Sequence, residues 1–161
     1  MLTVCEPFYI TDPILANEVA GGGIFVWYTG VCENSAAVHI RAHIKNEFSE
    51  KKDYTAHIRL IAPDGNKAAE GEISSRIGGN SCEYIETELA VTSPLLWSPE
   101  TPFLYTLEIC LFLNGGMVYR DITEMGIRDF RFTLDNGVIF NGKPRRFNGA
   151  NYHQTWPYIG N

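Results

Sequence analysis

Period two governs this chain. In AAVHIRAHIKN, Val38, Ile40, Ala42 and Ile44 fall on one side of an extended backbone, and His39, Arg41, His43 and Lys45 fall on the other. In DYTAHIRLIAPDGN, Tyr54, Ala56, Ile58 and Leu60 share a face, and Pro63-Asp64-Gly65 has the residue types of a turn. Tyr105, Leu107, Ile109, Leu111 and Leu113 alternate again, before Asn114-Gly115-Gly116 reverses the chain into a partner strand ending near Met125. Weaker strands are expected near Phe25–Val31, over Ala69–Ile77 and around Ile85–Val91, with Gly78-Gly79-Asn80 breaking the last two apart. Pro94, Pro99 and Pro102 make the stretch between Ser93 and Pro102 a loop. No window has helical periodicity. About seven strands punctuated by turns predict an all-β fold, an antiparallel β-sandwich of the immunoglobulin-like kind. The Cys…Trp…Cys spacing of antibody domains is absent, so this likeness is architectural.

After Arg128 the texture changes. FRFTLDNGVIFNGKPRRF holds two turn signals, Asp135-Asn136-Gly137 and Asn141-Gly142, around the apolar run Val138-Ile139-Phe140. These predict a C-terminal β-hairpin extension, followed by a short strand over Phe147–Asn151 that leads into a polar loop. The expected organisation is a sandwich domain over 1–129 and an appended unit over 130–161.

Composition narrows the function. The chain has 161 residues, 45% of them apolar, and a net charge of -6. A nucleic-acid binder would show a basic patch, so no nucleic-acid partner is expected. No apolar run approaches the roughly 20 residues of a bilayer span, so no membrane partner is expected either. Cys5, Cys32, Cys82 and Cys110 match no zinc spacing and read as free, mostly buried thiols, although a disulfide stays open if the chain is exported. His39 and His43 share a strand face but lie about 13 Å apart, too far for one ion. They are expected on the solvent face with His57, and no metal or other cofactor is assigned. Glu86 and Glu88 share a strand face, read as a hydrated outer surface rather than a catalytic pair. Trp97, among prolines and serines, is expected to cover one end of the core. No exposed aromatic platform for sugars is evident, because Tyr54 and Tyr105 sit on apolar faces and Phe112 stands alone.

Several stretches, taken in order, resemble glycoside hydrolase family 2, the family of β-galactosidases, β-glucuronidases and β-mannosidases. Trp97-Ser98-Pro99-Glu100-Thr101-Pro102 with Leu104-Tyr105-Thr106-Leu107 resembles a loop and strand late in that family's immunoglobulin-like domain. Gly126-Ile127-Arg128 resembles its close, Asn141-Gly142-Lys143-Pro144 the hairpin at the mouth of the catalytic barrel, and Gly149-Ala150-Asn151-Tyr152-His153 the end of the first barrel strand. Gly21–Val26 resembles the entry to the domain. The resemblance implies a non-catalytic middle piece of a retaining β-glycosidase. Its partners would be an N-terminal sugar-binding domain and a C-terminal (β/α)8 barrel of the same parent chain, and the parent's substrate would be a carbohydrate. A β-galactosidase is preferred on the wording of HQTWPYIGN. The alternative is a free-standing carbohydrate-binding or adhesive module.

The resemblance also assigns roles. Asn151 and His153 would be substrate-binding in the parent, bonding sugar hydroxyls, or else part of an exposed loop. Arg128 would be an interdomain donor, or a solvated strand-end arginine. Trp156 and Tyr158 would stack on sugar or pack on barrel segments. No catalytic residue is expected: the family's two glutamates lie on later barrel strands, and beyond Gly126 the only acids are Asp129 and Asp135.

Overall fold

The computed structural model describes residues 5–19 and 21–149. Those residues form eleven strands and no helix: β1 (Phe8–Ile10), β2 (Ile24–Thr29), β3 (Ser35–Asn46), β4 (Lys52–Ile61), β5 (Lys67–Ile77), β6 (Ser81–Thr92), β7 (Tyr105–Leu113), β8 (Gly116–Met125), β9 (Phe130–Thr133), β10 (Gly137–Phe140) and β11 (Lys143–Pro144). They make two facing antiparallel sheets and a small third one. One layer centres on β3, with β6 along one side and β2 and β1, end to end, along the other. The other layer runs β5-β4-β7-β8. The all-β sandwich read from the alternation is what the chain forms.

The two layers meet over the predicted apolar faces. Val38, Ile40, Ala42 and Ile44 of β3 lie in one core with Ala56, Ile58 and Leu60 of β4, Leu107, Ile109 and Leu111 of β7, and Ile85, Leu89 and Val91 of β6. The edge beside β3 is one strand cut in two. Ile10 stands opposite Ile44 and Ile24 opposite Ala42, so only His43 separates β1 from β2 on their partner, although thirteen residues intervene in the chain. His43 closes the base of this excursion. Its carbonyl accepts the Thr11 N–H at 2.9 Å, its N–H donates to the Gly23 carbonyl at 2.9 Å, and its Nδ1 lies 2.9 Å from Thr11 Oγ1, which also accepts the Gly23 N–H.

The chain changes layers at β3 to β4, at β5 to β6 and at β6 to β7, and the first two crossings lie together at one end of the sandwich. Asn46, fully buried, holds them together. Its amide donates to the carbonyls of Glu50 at 2.9 Å and Gly78 at 2.7 Å, while Oδ1 accepts the Phe48 N–H at 3.0 Å. The crossings touch so closely that a Cβ on Gly79 would stand 2.0 Å from the Ser49 carbonyl oxygen. At the other end, the buried Tyr105 hydroxyl accepts the Leu95 N–H at 2.8 Å, pinning the proline loop in the manner of a tyrosine corner.

Three expectations need correction. His43 is buried at 3% exposure rather than solvent-facing, because the 11–23 excursion folds back over it and Tyr84 stacks on its ring at 4.6 Å. The cysteines are free but not mostly buried: Cys5, Cys32 and Cys82 are exposed and Cys110 is half-covered. They occupy turns and outward positions that the two-residue period alone does not mark as small. The expected strand from Phe147 is not formed over Phe147–Gly149; its last two residues lie outside the described residues.

Asn46→Ala removes two donors and one acceptor from a buried position that links the β3–β4 and β5–β6 crossings. The expected loss is about 3 kcal/mol of unfolding free energy, measured by urea denaturation. A loss within error of zero would show that the crossings are held by packing alone.

Candidate functional site

The sandwich end that carries the proline loop also carries the appended sheet, β11-β10-β9. The junction is built from residues that sequence reading flagged singly. The Trp97 N–H donates to the Ile127 carbonyl at 2.8 Å, laying the indole across Gly126. A Cβ on Gly126 would fall 2.7 Å from Trp97 Cβ and Cγ, so only glycine permits this approach. Trp97 then meets Phe140 edge-on at 6.0 Å. The tryptophan thus covers the core's end, as expected, and also forms the seat of the hairpin.

Asn141 fastens that seat. Its Nδ2 donates to the Trp97 carbonyl at 3.0 Å, its Oδ1 accepts the Asp129 N–H at 3.0 Å, and its own N–H donates to the Asp129 carbonyl at 2.9 Å. Asn141 and Gly142 take φ of 48° and 77°, the left-handed pair that a two-residue hairpin requires and that Asn-Gly tolerates. The sequence signalled the turn but not the grip of its asparagine on a loop 44 residues earlier.

Arg128 lies on the same junction. Its guanidinium sits over the Trp97 ring at 5.5 Å, and Nη1 donates to the Gly126 carbonyl at 3.3 Å. It also approaches Tyr28, whose phenol burial pushes up and this cation pulls back. Arg145 pairs with Glu100 on the proline loop, which holds the Glu100 carboxyl below its ordinary range, and lies over Phe140 and Phe147 at 5.8 and 5.9 Å. Between loop and hairpin opens a cleft of about 680 Å³, walled by Leu95, Leu96, Phe103, Phe140, Asn141 and Arg145. Asn151 and His153, the predicted sugar contacts, lie outside the described residues, as do Trp156 and Tyr158.

The hairpin face that carries Phe140 continues outward as open apolar surface. Phe130, Phe132 and Phe147 are 46%, 77% and 50% exposed, and Leu134 is fully so. Phe130 touches Phe132, Phe140 and Phe147, making one aromatic cluster.

Several carboxylates of the two sheets are engaged in ion pairs. Glu88 meets His39 at 3.5 Å, Glu86 meets Arg41 at 4.0 Å, and Glu72 meets His57 at 3.2 Å. Glu108 lies between Arg59 and Arg120, at 3.3 and 2.5 Å. Glu86 and Glu88 line an outer surface, consistent with the hydrated reading. That surface is more aromatic than expected: Phe25, Trp27 and Tyr84 share it, with Arg41 5.5 Å from the rings of both Phe25 and Tyr84. Their positions on two strands, β2 and β6, hid the grouping from a linear reading.

With this geometry in view, the comparisons are direct. The profile of Glycosyl hydrolases family 2 matches residues 24–128. The chain belongs to this family. It is 29% identical over 150 residues to a β-galactosidase of Bacteroides ovatus, covering 93% of this chain and 17% of that protein. It is 24% identical over 159 residues to a β-glucuronidase of Formosa agariphila, covering 99% of this chain and 16% of that one. Among solved structures, a Bacteroides uniformis β-glucuronidase superposes with a TM-score of 0.83 at 26% identity, over 97% of this chain and 18% of its own. The chain therefore spans about a sixth of the length of these glycoside hydrolase family 2 relatives, and corresponds to one part of a multidomain protein.

Asn141→Gly keeps the positive φ but removes both side-chain bonds. It should free the hairpin from the sandwich at a cost of about 2 kcal/mol. Amide exchange would rise in β9 and β10 and stay slow in β3 and β7. Uniform exchange in both regions would show that the hairpin's attachment does not depend on Asn141.

Proposed function

We propose that this chain is the immunoglobulin-like bracket of a retaining β-glycosidase, non-catalytic in itself, which holds a sugar-binding domain and a catalytic (β/α)8 barrel in fixed relation. The observation that carries this reading is the incomplete cover of one hairpin face. Phe140 on that face is buried against Trp97, while Phe130 and Phe132, on the same face and farther out, are offered to something beyond. A tight seat with an uncovered apolar face suits a joint between domains. The barrel is the partner this face would meet, and Arg128, beside it, would serve as the interdomain donor.

Retaining glycosidases use two carboxyl groups about 5 Å apart, one as acid and one as nucleophile. At the junction the acids are Asp129, which bonds Arg131 at 2.8 Å, and Glu100, which is tied to Arg145. Each is engaged by an arginine rather than set beside a second carboxyl.

A β-galactosidase is the preferred parent. In it, Asn151 and His153 would bond sugar hydroxyls at the end of the first barrel strand. The free-standing sugar-binding module is the second reading, and the Phe25, Trp27 and Tyr84 surface is the observation in its favour.

The purified chain should release no nitrophenol from nitrophenyl β-galactoside or β-glucuronide above buffer. Turnover that survives repurification would overturn the non-catalytic reading. In the parent, His153→Ala should lower kcat/KM on the β-galactoside by about 10- to 100-fold, the cost of one unpaired sugar hydroxyl. An unchanged value would remove His153 from the pocket.

A further inference from the structure

The layer built on β3 is one strand short. On its β2 side, among the described residues, nothing pairs with the outer edge of Ile24–Thr29. The inward side chains show the deficit. Val38, Ile40 and Ala42 of β3 are buried at 0–2% exposure, whereas Ile24, Val26 and Tyr28, directly beside them and on the same face, are only half-buried. The facing layer has four strands across, so this flank of the core lies partly uncovered.

The edge also lacks the usual protection. A bare sheet edge is a template for another strand, and proteins blunt it with charge, proline or a covering loop. The long edge strands β5, β6 and β8 carry Glu70 and Glu72, Glu83 and Glu86, and Arg120 and Asp121. IFVWYT has no charge and no proline, and consists wholly of residues that favour strands. The nearby 11–23 excursion does not cover it. That loop folds across the outer face instead, where a Cβ on Gly21 would stand 2.4 Å from the Tyr84 hydroxyl, on the far side of β3.

We propose that β2 pairs antiparallel with β2 of a second copy of this chain, about a two-fold axis through Val26. The strand's own pattern selects this occupant. Opposed residues in an antiparallel pair point to the same face. An axis at Val26 sets Val26 against its copy and Ile24 against Tyr28 of the second molecule on the inward side. It sets Phe25 against Trp27 of the second molecule on the outer side. Apolar meets apolar on the core face and aromatic meets aromatic on the other, with no charge buried. The arrangement is self-complementary and closes at two copies, joining the two β3-centred layers into one continuous sheet. It does not depend on the glycosidase reading, and its test involves no activity.

Sedimentation equilibrium across a concentration series should show the mass rising from 18.1 kDa toward twice that value. Amide exchange at Ile24–Thr29 should slow as concentration rises. Phe25→Lys puts a charge on the outer side of the pairing and should weaken association about tenfold or more. Phe132→Lys, on the hairpin, should leave it unchanged. A mass of 18.1 kDa at every concentration would overturn the proposal, as would association abolished by Phe132→Lys and untouched by Phe25→Lys. If Phe25→Lys fails to fold, the wild-type exchange decides: concentration-dependent protection at β2 supports the pairing, and protection confined elsewhere refutes it.

Discussion

A single buried amide determines how two flat layers become one body. Two of the three crossings between sheets bring the carbonyls of Glu50 and Gly78 against the buried Asn46 side chain, and an unpaired polar group there costs on the order of a kilocalorie or more. Asn46 answers this with all three of its usable groups, bonding Glu50, Gly78 and Phe48. No other side chain of that size offers two donors and an acceptor in one plane. The position also fixes register. Asn46 is the last residue of β3, opposite both Phe8 and Ser81, so its hold on the crossings sets where β1 and β6 pair along the central strand.

The opposite end solves a different problem. There the core must stop without exposing its last layer, and the chain must leave in a defined direction. Trp97 does the first by lying across Gly126, and Asn141 does the second by bonding the Trp97 carbonyl. The two roles share atoms, so the direction of the hairpin is tied to the closure of the core. A domain whose exit is that constrained can transmit position to whatever follows it. Two relatives are about six times this chain's length, and such a constrained exit is what the bracket role proposed above requires.

Much of this was legible in the sequence, for reasons that can be located. The strands β3, β4 and β7 declare themselves because each is central, with one face in the core, so alternation survives intact. The Asn-Gly turns declare themselves because positive φ restricts the residue type. What stayed hidden depends on distance along the chain. His43 sits at an outward position of a clean alternation and is buried only because a thirteen-residue excursion folds back over it. The hold of Asn141 on Trp97 joins residues 44 apart, and a turn asparagine gives no sign of its tertiary partner. The aromatic grouping of Phe25, Trp27 and Tyr84 likewise arises from strands that meet only in the sheet. Asn151 and His153 were marked by resemblance alone, and no geometry bears on them.

Exposed apolar side chains occur at several places, Ile14, Leu15 and Val19 of the excursion among them, but the hairpin and the β2 edge represent two different kinds of opening. On both outer faces charged residues pair across strands, as Glu108 does with two arginines and Asp53 with Arg76. Such pairs contribute little to stability one by one. Their effect is to make those faces poor templates for anything apolar. Against that background the hairpin cluster and the β2 edge stand apart, and they differ in what they lack. The hairpin lacks a cover for side chains, a need that a broad, shaped surface meets. The β2 edge lacks partners for backbone groups as well, a need that only another extended strand meets in full. An acidic chain that leaves these two places bare, and blunts its other long edges with charge, distinguishes a joint from a seam by the chemistry each leaves unsatisfied.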